Sequence, residues 1–127
     1  FIAFSEARHR MVTENIANID TPGYRTKQLD VGAFQRELRR ASDAREAPTD
    51  SLRLRSSKQF EVNRIGSLSV SPETAPPENL LFHDGTNGQL ERQMAMLADN
   101  GMAHQLAIEL LKGNYNGILK AIRGRVQ

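Results

Sequence analysis

The chain has 127 residues, 39% of them apolar and 6% aromatic, with no tryptophan and no cysteine. The missing cysteines exclude disulfides, thiolate metal sites and cysteine nucleophiles. A formal net charge of +2, built from interleaved acids and bases, gives no strong phosphate-binding field, and no run approaches the ~20 apolar residues of a membrane span.

Apolar residues gather at the two ends. Between Arg39 and Glu78 they are sparse, so the middle is poorly equipped to build a conventional core. Sticky ends and a polar middle suggest an assembly subunit. The start does not read as a signal peptide, because Arg8, His9, Arg10 and Glu14 follow Phe1–Phe4 too soon. The first residue is Phe1 rather than an initiator methionine, which predicts native residues before it.

The spacing predicts a helix over Phe1 to Ile19. Phe1, Phe4, Arg8, Met11, Asn15 and Asn18 form one row, and Ile2, Ser5, His9, Val12, Ile16 and Ile19 the row beside it. The helix then meets a stop. Asn15, Asn18 and Asp20 carry short polar side chains that can satisfy backbone groups at a helix end. Pro22 cannot extend the helix and biases Thr21 away from helical dihedrals. Pro22–Gly23 ahead of Tyr24 is the pattern of a type II turn.

A second helix is expected from Asp30 as N-cap, with Val31, Phe34 and Leu38 on one face, fading near Ala41 to Asp43. Residues 44–57 read as loop. Weak alternation from Gln59 to Val70, broken by Gly66, predicts a small hairpin. Ser71 to Pro77 reads as an extended linker, and Leu80 to Phe82 as a short extended piece before an Asp84–Gly85 turn.

The C-terminal stretch has the strongest periodicity. Leu90, Met94, Leu97, Gly101, His104, Ile108, Leu111, Tyr115, Ile118 and Ile122 recur at alternating steps of four and three, the pattern of a coiled-coil seam. It predicts a helix on the order of 50 Å long. Gly101, Gly113 and Gly117 each cost about 1 kcal/mol in its interior, so it needs partners. After Glu109, Lys112, Lys120, Arg123 and Arg125 stand without acids. They offset the helix macrodipole, and they are also candidates for contacts with acidic neighbours.

Catalytic chemistry finds no support. His9, His83 and His104 lie far apart without metal-site spacing. No serine sits in a nucleophile elbow, and Gly85–Gly88 lacks the lysine of a phosphate loop. Neither metal nor cofactor is expected, and no catalytic residue is assigned.

Two runs together resemble a known family. Asn15-Ile-Ala-Asn-Ile-Asp-Thr-Pro-Gly-Tyr24 resembles the N-terminal motif of bacterial flagellar rod and hook proteins. The C-terminal Asp84-Gly-Thr-Asn-Gly-Gln-Leu-Glu-Arg-Gln-Met-Ala, followed by Leu97-Ala-Asp-Asn and Gln105, is similar to the FlgB type of basal-body rod protein. Gly88–Gln89, Gln93 and His104 depart from that family's pattern. The likeness covers about half the chain and leaves the middle unaligned.

The resemblance implies a mainly α fold in which long terminal helices pair as a coiled coil. Residues 1–24 would form the first helix and motif turn, 25–83 the middle, and 84–127 the C-terminal helix. It implies a structural role in the proximal rod, transmitting torque and continuing the export channel, in the periplasm after type III export. Implied partners are FlgC-, FlgF- and FlgG-type rod proteins, a FliE-type adaptor with the MS ring, the export gate and further copies of the chain. Neither nucleic acid nor a membrane span is implied. Phe4, Met11, Val12 and Ile16 would join the C-terminal seam and Gln105 at subunit interfaces, and Lys120, Arg123 and Arg125 would make electrostatic contacts. Joining the ends closes a loop of about 70 residues, which marginal helices offset poorly. Both ends are therefore expected to be largely disordered in the free monomer and to fold on docking.

Two alternatives stand beside this. One is the FlgC-type rod subunit. The other, from a different class, is a helical nucleic-acid-binding regulator using Arg36, Arg39, Arg40, Arg45, Arg53 and Arg55, weakened by the interleaved Glu37, Asp43, Glu46 and Asp50.

Overall fold

A computed structural model describes residues 1–45, 52–75 and 85–124, with side chains from 89 onward in the last segment. The fold is mainly helical. Its order is α1 (Ile2–Ala17), β1 (Lys27–Gln28), α2 (Val31–Asp43), β2 (Phe60–Val62), β3 (Leu68–Val70), β4 (Glu73–Thr74) and α3 (Gly85–Gly124). At 40 residues, α3 is about 60 Å long.

Helix α1 stops as its sequence dictates. Asn18 N–H donates to Glu14 O at 3.1 Å, and Asn18 Nδ2 donates to the same carbonyl at 2.9 Å, so one side chain closes the frayed end. The chain then turns over Thr21–Tyr24, with Tyr24 N–H donating to Thr21 O at 3.1 Å and Gly23 at φ +76°. A positive φ at the third turn position is the type II geometry that selects glycine.

Asp30 caps α2: its Oδ1 accepts from Ala33 N–H at 2.8 Å, which satisfies one of the orphan donors of the first turn. The hairpin forms with Phe60↔Val70 and Val62↔Leu68 in register. Asn63 Oδ1 accepts from the N–H groups of Ile65 and Ser67 at 3.1 and 2.8 Å, while Gly66 takes φ +80°. This is a type I turn closed by a left-handed glycine.

One segment departs from expectation. Ser71 to Pro77 is not wholly a linker, because Glu73–Thr74 pairs antiparallel with Lys27–Gln28. Ala75 N–H extends the pairing to Thr26 O at 2.8 Å. Residues 76–84, which hold the Pro76–Pro77 end of that linker, the Leu80–Phe82 piece, His83 and Asp84, lie outside the described residues.

The core is small and aromatic. Phe4, Phe34 and Phe60 are fully buried, with Leu29, Val31, Leu38, Leu54, Leu68 and Val70 packed against them. The Phe4 and Phe34 rings stack at 4.0 Å, and Phe60 meets Phe34 edge-on at 5.4 Å. The polar middle therefore contributes more than its composition suggests. Its few apolar residues converge because the hairpin folds back on α1 and α2.

An ion-paired clasp holds the following loop onto α2. Glu37 receives Arg40 Nε at 2.9 Å, together with Arg40 Nη2 and the Arg55 backbone N–H. Those bonds, the Arg40 guanidinium first, hold the Glu37 carboxyl down to about 2, against an ordinary value near 4.5. A depressed carboxyl stabilises the fold above its unfolded value and loses that contribution as pH falls toward the folded one. Urea unfolding of Glu37→Gln should therefore show a deficit against the parent at pH 7 that closes progressively between about pH 5 and 2. An undiminished deficit at pH 3 would mean that the clasp works by packing instead of charge.

Candidate functional site

Helices α1 and α3 run antiparallel and are tied by polar contacts between their apolar rows. Near the start of α1, Ser5 is fully buried. Its hydroxyl lies 2.8 Å from Ile2 O and is hydrogen-bonded to Nδ1 of His104 at 2.7 Å. Asn100, also buried, donates its Nδ2 to Ser5 O at 2.8 Å.

Asn15 ties the other end. Its Nδ2 donates to Lys27 O at 2.8 Å and to Gln93 Oε1 at 3.3 Å. Its Oδ1 accepts from Tyr24 OH at 3.0 Å and Lys27 N–H at 2.9 Å. This one side chain, 1% exposed, thus joins α1, the motif turn, β1 and α3 with its whole hydrogen-bonding capacity used. Burial pushes the Tyr24 phenol up, and the nearby Glu14 carboxylate adds to it. Glu14 also pairs with Lys27 across the turn.

The sequence-derived residues divide in the structure. Phe4, Met11 and Val12 are buried and Ile16 half-buried on α1. On α3, Leu90, Leu97, His104 and Ile108 are half-buried, whereas Met94, Gly101, Gln105 and Leu111 are exposed. Beside the half-buried positions, Asn100 is buried, and Gln93, Ala103 and Ala107 are half-buried as well. The contact face is centred on Asn100, and at about 100° per residue Met94 and Gly101 fall outside it while Leu97 and His104 stay on its edge. Gln93 and Asn100 went unassigned in the sequence. The available signal was that α1's stripe is interrupted by Ser5 and Asn15, which need polar partners when buried.

Tyr115, Ile118, Leu119 and Ile122 are exposed, as are Leu106 and Leu110, which line an open groove with Ile2 and Ala3 of α1. Among the described residues nothing covers these apolar side chains of α3. Lys120 and Arg123 are also exposed, and Arg125 lies outside the described residues. Among the motif residues, Asn18 and Tyr24 are half-buried while Asp20, Thr21, Pro22 and Gly23 are exposed. Among the described residues no helix is long and apolar enough to cross a membrane, and no cluster of His, Asp and Glu is placed to hold a metal ion.

The chain is 28% identical over 120 residues to the flagellar basal body rod protein FlgB of Bacillus subtilis (strain 168), covering 94% of this chain and 85% of the relative. FlgB of Escherichia coli (strain K12) is 26% identical over 122 residues, covering 91% and 83%. FlgB of Cereibacter sphaeroides (strain ATCC 17029 / ATH 2.4.9) is 28% identical over 123 residues, covering 97% and 88%. These relatives support a FlgB-type flagellar basal body rod protein. The FlgB-type likeness runs through the middle segment that the motifs alone left unaligned. No family model and no solved structure matches the chain.

Proposed function

We propose that this chain is a structural subunit of the proximal rod, assembling through its terminal helices into the axial structure that transmits torque and continues the export channel. The observation that carries this reading is the α1–α3 pair. It packs the first described helix on the last and leaves apolar side chains of α3 from Leu106 to Ile122 without cover among the described residues. A subunit built for burial by neighbours has that form. The motif turn positions this pair through Asn15. The interface then comprises Phe4, Met11, Val12 and Ile16 within the subunit and the exposed seam of α3 between subunits, with Lys120, Arg123 and Arg125 meeting acidic groups. Catalysis and cofactors have no place in this reading.

The proposed location is the basal body in the periplasm, reached by type III export, with other rod proteins, the adaptor and MS ring, and the export gate as neighbours. Lysine cross-linking on intact basal bodies tests it. Lys27, Lys112 and Lys120 should link to one another and to rod, adaptor or gate subunits. Absence of the chain from purified basal bodies would end this reading.

The expectation of folding on docking narrows to residues 112–124, whose side chains are all exposed. In the dilute chain their amides should exchange rapidly while those of residues 4–15 are protected. Equal protection in both segments would remove the idea.

A further inference from the structure

Helix α3 holds three Asn–Gly steps, Asn87–Gly88, Asn100–Gly101 and Asn116–Gly117. The step is chemically special because glycine has no Cβ to hinder its backbone nitrogen. That nitrogen can attack the side-chain carboxamide carbon of the preceding asparagine, closing a succinimide ring and releasing ammonia. A regular α-helix suppresses the attack. The glycine N–H is bonded to the carbonyl four residues back, and helical dihedrals hold the nitrogen away from the side chain. The rate therefore follows how often the helix opens at that point.

Two of the steps sit in opposite surroundings. Asn100 is 2% exposed, and its Nδ2 donates to Ser5 O at 2.8 Å, so its carboxamide is fixed against α1. Asn116 is exposed, within a run from 109 to 124 whose side chains are all exposed. Sixteen residues at about 100° each place it about 160° round α3 from Asn100, on the side turned away from α1. Gly113 and Gly117, one turn apart, bracket it. A Cβ at either would meet nothing within 4 Å, so packing among the described residues asks for neither glycine. Both weaken the helix nevertheless, and Asn116 lies between them.

We propose that Asn116–Gly117 is a self-modification site of the unassembled chain, where the opened end of α3 converts Asn116 to aspartyl and isoaspartyl forms. A bond forms between Gly117 N and Asn116 Cγ, the Cγ–Nδ2 bond breaks, and the Gly117 amide hydrogen leaves with that nitrogen as ammonia. Water then opens the ring at either carbonyl and leaves a carboxylate. The isoaspartyl product carries an extra methylene in the backbone, which interrupts the hydrogen-bond ladder between Tyr115 and Ile118, two residues of the seam. A chain that lingers unassembled thereby loses the end of its seam, whereas a neighbour that covers α3 holds it helical and spares it. The inference deepens the rod-subunit reading and rests on its expectation that residues 112–124 fold on docking.

The full chain is incubated dilute at mildly alkaline pH and digested with trypsin at intervals. Cleavage after Lys112 and Lys120 releases residues 113–120, in which Asn114, followed by Tyr115, is an internal comparison. Mass spectrometry reads the exchange of a carboxamide for a carboxylate at each asparagine. Conversion at Asn116 should approach that of the same peptide free in solution and exceed that at Asn100 by at least about a hundredfold. Gly113→Ala strengthens the helix without touching the reacting pair, and should slow Asn116 severalfold. Equal conversion at Asn116 and Asn100, or no response to Gly113→Ala, overturns the proposal. Amide exchange on the same sample separates the two readings. Slow conversion with rapid exchange over residues 112–124 overturns the modification site alone. Slow conversion with protected amides overturns the folding-on-docking expectation as well, and neither result bears on the presence of the chain in basal bodies.

Discussion

Replacing Asn15 with alanine should destabilise the chain by about 3 kcal/mol, a loss read by urea unfolding with far-ultraviolet circular dichroism. Asn15 is 1% exposed, and its four hydrogen bonds end on the half-buried residues Tyr24, Lys27 and Gln93. Truncation leaves the Lys27 N–H and the Tyr24 hydroxyl without their acceptor, and Lys27 O and Gln93 Oε1 without their donor. Orphaned buried groups cost about 1–3 kcal/mol each, and local relaxation recovers part of that. Asn15→Asp separates the two halves of the network. Its oxygens still accept from Lys27 N–H and Tyr24 OH, but a carboxylate then faces two other oxygens. The folded state would favour its protonated form, raising its pKa. That variant should be least stable at neutral pH and recover as pH falls through the raised value toward the unfolded carboxylate range near 3.9. A loss below about 1 kcal/mol for Asn15→Ala would mean that water replaces the side chain, and the knot would no longer explain the motif turn.

Local chemistry made much of this fold legible. Asp30 announced the start of α2, Pro22–Gly23 the type II turn, and Gly66 the hairpin, because each rests on a backbone requirement that few residues meet. The pairing of β1 with β4 was not legible. Both strands have two polar-rich residues and meet across more than forty positions, so neither alternation nor composition marks them. Heptad counting located the α3 seam but not the centre of its contact face, which falls on Asn100 and leaves Gly101 outward. The middle misled for a related reason. Composition averages over a segment, whereas a core needs only Phe60, Leu68 and Val70 to arrive at one place.

That economy makes Phe34 the most exacting position in the molecule. Phe34→Ala should cost about 3–5 kcal/mol, and with a core this small the loss should lower the melting temperature by about 10–20 °C. The ring stacks on Phe4 from α1 and receives the edge of Phe60 from the hairpin. Removing it therefore opens a cavity between three elements that have few other apolar contacts to spare. Phe34→Leu should recover much of the loss in volume but not the ring geometry. Phe60→Ala removes only the edge-on ring and should cost less. Matched thermal melts of the three variants decide the ordering. If Phe60→Ala proved as damaging as Phe34→Ala, the hairpin rather than α2 would be what holds α1 in place.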